Sequence, residues 1–183
     1  GTIALLAIGI VAMRPTLHMP PLTRFIDGTG PVFAGKIFPF AFITIACGAI
    51  SGFHALISSG TTPKLLQREG ETRMVGYGAM MAESLVAIMA TVAACVLQPG
   101  TYFAINSPAG IVGQLPDAAV ATISAWGFPV TAADMQALAQ AVGEQTLFNR
   151  TGGAPAFAVG MAHIFSNSLG GQAVMAIWYH FAI

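Results

Sequence analysis

The chain has 183 residues, of which 55% are hydrophobic and 8% charged, and seven Lys/Arg balance seven Asp/Glu. A soluble domain carries about 25% charged residues, so this chain lacks the side chains that a water-facing surface needs. The even charge balance argues against nucleic acid or a polyanion as a partner, and the composition points to an integral membrane protein of the all-α, polytopic helix-bundle class.

The first element is "GTIALLAIGIVAM", residues 1–13. Thirteen helical residues rise only ~20 Å against a hydrocarbon core of about 30 Å. The last element, ending "VMAIWYHFAI", has no polar tail. Both ends are therefore expected to be spans cut part-way through, in an internal piece of a larger multi-span protein.

After the first span, Arg14–Pro31 holds four prolines and an Asp-Gly pair, the signature of an irregular connection. Residues 32–57 are apolar apart from Lys36 and His54, long enough to cross a bilayer with some tilt. Lys36 stands near a helix end and is expected to snorkel. Ser58–Arg73 is a short polar loop, and residues 74–97 form a second full span interrupted only by Glu83.

Residues 98–150 make a long connection with no Lys or Arg before Arg150. Within it, "VTAADMQALAQAVG" predicts a short amphipathic helix. Thr131 is the N-cap with Asp134 three residues on, Val130 and Met135 occupy staple positions, and Gly143 closes the helix. "AAVATISAWGFPV" before it fits a surface helix or a dip into the interface. Residues 154–183 hold two apolar stretches separated by "SNSLGG", which fits a helical hairpin or a discontinuous helix.

Lys64, Arg68 and Arg73 make loop 58–73 the cytoplasmic one by the positive-inside rule, and loop 98–150 extracytoplasmic. Arg14 and Arg24, on the connection that must then also be outside, run against that rule. Cys47 and Cys95 both lie in apolar runs, which fits helix packing and no disulfide or metal framework.

Helical spacing gathers small residues around two ionisable ones. Cys47, Ser51, Ala55 and Ser59 recur every four residues, and Thr44, Gly48 and Gly52 form an adjacent row. Such rows let helix backbones approach closely in lipid. His54 shares that face, where an imidazole exchanges a proton near neutral pH. Gly76, Ala79 and Ala87 fall within ~40° of Glu83 around an ideal helix, so the carboxyl group stands on that segment's tightest face. Intramembrane ionisable residues are functional candidates, and Glu83 and His54 are the proton-coupling candidates. The bland alternatives are a Glu83 that pairs with Lys36 or caps a neighbouring helix, and a His54 that only makes an interhelical hydrogen bond. His163 and His180 lack a partner at helical spacing and read as structural; His18 has no assigned role.

In "SSGTTP", Gly60 and Pro63 predict that the helix stops, leaving free carbonyls for the hydroxyls of Ser58, Ser59, Thr61 and Thr62. Such an end is either an ordinary C-cap at the interface or an unwound site for a small carboxylate or an ion. No H-E-x-x-H or G-x-S-x-G is present, so an enzyme is not expected, and no cofactor or metal is implied. Two alternatives to a transporter stay open: a non-transporting membrane sensor or assembly subunit, and an intramembrane hydrolase.

"GPVFAGKIFPFAFITIACGAISGFHALISSGTTPK", "GYGAMMAESLVAIMA", "QPGTYFAINSP" and "NRTGGAPAFAVGMAHIF" occur in this order. They resemble successive stretches of the carbon starvation protein family (CstA). The resemblance covers essentially the whole chain, which would be about a quarter of a family member. It implies a multi-pass bacterial inner-membrane transporter related to the amino acid–polyamine–organocation group. Its partners would be the bilayer, the remaining helices of the full-length protein, and a peptide or pyruvate substrate with H⁺, taken up when carbon is scarce. It brings no residue-level mechanism.

Overall fold

The computed structural model describes residues 2–32, 35–50, 55–166 and 171–183. All regular structure among them is helical, with no strand. The chain divides into two compact units, Thr23–Val86 and Gly1–Leu22 with Ala87–Ile183.

In the Thr23–Val86 unit, the Asp-Gly pair forms a tight turn. Asp27 accepts hydrogen bonds from the Thr29 backbone (3.0 Å) and hydroxyl (2.7 Å), which together hold its carboxyl below the usual carboxylate range. Gly28 has φ 98°, and a Cβ there would lie 2.9 Å from the Lys36 backbone nitrogen, so only glycine fits. Helix α2 spans Ile37–Ile50 with an extended Phe38 inside its first turn. Regular helix begins at Pro39, because proline forces the preceding residue out of helical geometry and itself suits a first helical position. The segment 32–57, expected as one uninterrupted span, therefore starts with irregular backbone.

The stop expected at Gly60 and Pro63 is not observed. The helix continues through a π-turn, Ile57–Thr61, into a short helix α3, Thr62–Leu65, and ends at Leu66. Pro63 is the second residue of α3 and has no N–H to give to the turn before it, yet the helix runs on past it. The breaker thus changes the helix period and leaves the chain helical.

Helix α4, Glu71–Cys95, is 25 residues long, or ~37 Å at 1.5 Å per residue. Glu71 in its first turn complements the helix dipole and accepts a hydrogen bond from the Gln67 backbone at 3.4 Å. Among the described residues it is the helix long and apolar enough to cross a membrane. Its first two-thirds expose large apolar side chains, including Met74 at 79% and Met81 at 69%. Only Met89 and Ala93 near its end are buried.

The second unit is organised around the helix Ala154–Ser166, α9, which buries nine of its residues. Gly160 is the point of closest approach. A Cβ built there would collide with the Ala93 backbone carbonyl, so α4 and α9 touch through bare backbone. Leu6 of α1 (Thr2–Met13), Met89, Ala93, Met161, Ile164 and Phe165 close around this crossing. The Cys95 carbonyl, otherwise an orphan of the α4 C-terminus, accepts from His18 N (2.8 Å) and Met19 N (3.3 Å).

Residues 98–150 hold four helical segments and their own core; the amphipathic helix expected after Thr131 is one of them, and the stretch before it that fits a surface helix or an interfacial dip supplies most of another. The four are α5 (Pro99–Asn106), α6 (Ala109–Val112), α7 (Pro116–Ala125) and α8 (Ala132–Val142). Phe103 stacks on Phe128 at 4.9 Å and meets Trp126 edge-on. Ala119 and Ile123 turn α7 inward, and Met135, Ala139 and Val142 do the same for α8. The caps of α8 are those the sequence specifies: the Thr131 hydroxyl accepts from Asp134 N at 3.0 Å, and Gly143 is left-handed at φ 79°. After α9, a 3₁₀ turn (Gly171–Val174) leads into α10 (Met175–Ala182). Helix α10 packs beside α9 with Phe165 stacked on Trp178 at 4.3 Å, the arrangement of a hairpin and not of one broken helix.

Candidate functional site

Glu83 lies near the middle of α4, on an exposed stretch that also carries Gly76, Ala79 and Ala87. The helix is continuous there, so the four keep the common face that their spacing specifies. Gly48 lies in the last turn of α2. His54, Ser51 and Gly52 lie outside the described residues.

The hydroxyl cluster occupies the π-turn. Ser58 and Ser59 donate to the Ala55 carbonyl, at 3.1 and 2.7 Å. A π-turn shifts the hydrogen-bond ladder by one residue, and such turns recur at functional sites. Here two side-chain donors converge on one carbonyl at the start of the wider turn. Both serines and Thr61 are exposed and Thr62 is half-buried. The predicted use of serine hydroxyls on a helix carbonyl is present, within a continuing helix.

A second polar cluster, which the sequence reading did not single out, lies in the unit containing 87–183. The "NRTGG" segment folds back over the C-terminal end of α5. Asn149 N donates to Ala104 O (3.1 Å), Asn149 Nδ2 to Gly113 O (3.3 Å), and Gly153 N to Asn106 Oδ1 (3.2 Å). Asn149 has φ 58°, and Gly152 and Gly153 have φ 109° and 83°. Asn and Gly are the residues that tolerate this geometry, which is the signal that could have drawn attention to the segment. Beside it, Arg150 donates to Glu144 Oε2 at 2.6 Å, with 35% and 20% of the two side chains exposed. The Gln145, Thr146 and Phe148 stretch between them walls a cavity of about 280 Å³. Tyr179 of α10 is fully buried. Its hydroxyl has no hydrogen-bond partner among the described residues. Further along, burial pushes the Tyr102 phenol up, with Cys95 adding to the effect. Among the described residues no three His, Cys, Asp or Glu gather as a metal site.

An all-helical chain with a membrane-length apolar helix, small-residue crossings and an ionisable group at mid-span has the features of a membrane-embedded helical protein. The family model for the carbon starvation protein CstA matches residues 1–183, and the chain belongs to that family. It is 57% identical to the peptide transporter CstA of Escherichia coli K12 and 55% identical to that of Helicobacter pylori J99. It is 52% identical to the pyruvate/proton symporter BtsT of Escherichia coli K12. All of this chain is covered in each case, against 27%, 27% and 28% of the relative. The chain thus spans about a quarter of the length of the relatives it matches. Their names are those of transporters and not of enzymes. No solved structure matches the chain.

Proposed function

We propose that the protein containing this chain is a secondary active transporter, multi-pass in the bacterial inner membrane, that takes up peptides or pyruvate with protons when carbon is scarce. The observation that carries this reading is identity above 50% to both a peptide transporter and a pyruvate/proton symporter across the whole chain. In this reading α2, α4 and the α9–α10 hairpin belong to the membrane bundle, loop 58–73 faces the cytoplasm, and residues 98–150 face outward. Glu83 and His54 exchange the coupling proton. Ser58, Ser59, Thr61 and Thr62 contact substrate or ion at the π-turn, and Gly48, Ser51, Gly52, Gly76, Ala79 and Ala87 pack against helices of the full-length protein. The exposed apolar side chains of α4 support that placement, because large exposed apolar surfaces mark contact with lipid or with further protein.

Uptake of labelled pyruvate and of dialanine by the full-length protein in proteoliposomes tests the reading. Accumulation is expected with an inward proton gradient and is expected to collapse with a protonophore. No uptake of either substrate, or uptake indifferent to the gradient, overturns it. For His54→Ala the expected result is counterflow retained with net gradient-driven uptake lost. Retention of both would return His54 to a packing role.

A further inference from the structure

We propose that the cleft beside α8 binds short peptides on the outward side of the protein, taking in one apolar side chain and the peptide groups that flank it. This rests on the transporter reading and gives the outward segment a ligand of its own, a peptide and not pyruvate.

The cleft has a volume of about 280 Å³ and lies between the first turn of α7, one face of α8 and residues 145–148. Its floor is apolar and fixed. Met135 and Ala139 are each 1% exposed and stand one turn apart on a helix whose two caps are both made. The loop wall is held as well. Leu147 is fully buried, and the Thr146 hydroxyl accepts from Phe148 N at 3.2 Å. Thr146 and Phe148 therefore flank an anchored residue, and Phe148 adds an aromatic surface to the lining. A site ordered in advance loses little freedom when a ligand arrives.

The polar groups of the lining decide the ligand class. Gln136 comes from α8 and Gln145 from the loop, and both are exposed. A primary amide offers two donors and a carbonyl acceptor, the complement of a peptide group's own carbonyl and N–H. Thr146 still has its O–H to donate. None of the lining residues is ionisable. Pyruvate, a small anion, would give up water there with no cation to replace it. A peptide keeps its charged ends in water at the exposed rim and brings only neutral groups inside.

The floor suits a carrier that accepts many peptide sequences. The thioether of Met135 is flexible and polarisable, and such a side chain adapts to apolar groups of different shape. The volume falls just short of the ~300 Å³ at which sites for drug-sized molecules begin. One side chain with its flanking amides matches that space, and a long chain does not.

The test uses the full-length protein in proteoliposomes, with alanyl-leucine and pyruvate as probes. Gln136→Ala combined with Gln145→Ala is expected to raise the KM for alanyl-leucine about tenfold, the scale of two lost hydrogen bonds. The maximal rate for the peptide and the kinetics for pyruvate are expected to stay unchanged. Both glutamines are exposed, so the exchange spares the core. An unchanged peptide KM, or equal losses for peptide and pyruvate, overturns the inference. Binding is also read without transport. Gln145→Cys is expected to react with a maleimide, the wild type serving as blank, and alanyl-leucine but not pyruvate is expected to slow that reaction. Absence of protection by the peptide overturns the inference. So does a Gln145→Cys variant that never reacts, because another part of the full-length chain then fills the cleft. Wild-type vesicles that take up neither probe overturn the transporter reading, and the labelling result then decides the cleft by itself.

Discussion

Glu83→Gln is expected to reduce gradient-driven uptake to the level of empty liposomes while the protein still reaches the membrane. Glu83 is the thirteenth residue of the 25-residue helix Glu71–Cys95, or ~18 Å along an axis that matches the hydrocarbon thickness. A carboxyl group at that depth is tolerated when protein or trapped water surrounds it. The face that carries it also carries Gly76, Ala79 and Ala87 and is exposed in this chain, and a small-residue face suits close contact with a further helix. A Gln there keeps the shape and the hydrogen bonds and removes the proton that can be gained and released. The variant therefore isolates proton exchange from packing. Unchanged uptake with unchanged pH dependence would remove Glu83 from the coupling step.

Gly160→Ala is expected to be among the most destabilising single-methyl changes in the chain, by about 2 kcal/mol or more, with Gly160→Leu giving no folded protein. The added Cβ meets the Ala93 carbonyl, which belongs to the α4 backbone and cannot rotate away as a side chain would. Relief requires α4 and α9 to separate. That opens the cluster of Leu6, Met89, Ala93, Met161, Ile164 and Phe165, and close-packed interiors tolerate such shifts poorly. Gly110 is the control. It lies in α6, with nothing within 4 Å of a built Cβ, so Gly110→Ala is expected to be neutral or slightly stabilising through lower backbone entropy in the unfolded chain. Thermal stability of the full-length protein in detergent, followed by size-exclusion chromatography, compares the two. Equal melting for both variants would show that the α4–α9 approach is looser than a bare backbone contact.

The elements legible in the sequence are those encoded within a few neighbouring residues. The span expected at 74–97 is the helix Glu71–Cys95. Continuous apolarity is a local property, and the helix ends shift by only two or three residues. The helix Ala132–Val142 has Thr131, Asp134 and Gly143 in their expected capping roles, since a cap is completed within one turn. The same local rules failed at "SSGTTP". Gly and Pro were weighed as helix breakers, while the structure accommodates both through a change from α to π hydrogen bonding.

Tertiary structure alone decided which distant residues meet. Gly160 faces Ala93, and Gly153 donates to Asn106 across 47 residues. Asn149 donates to the Gly113 carbonyl across 36 residues, and residues 98–150 close on their own core. The Ala156-x-x-x-Gly160 spacing marks a surface on which a helix can approach closely, but it does not name the partner helix. Hydropathy and capping depend on a residue's immediate neighbours, so the sequence determined the membrane class, the long helix and the caps. Pairing depends on the path the chain takes between elements, and that path determines which glycine meets a carbonyl and which aromatic rings stack.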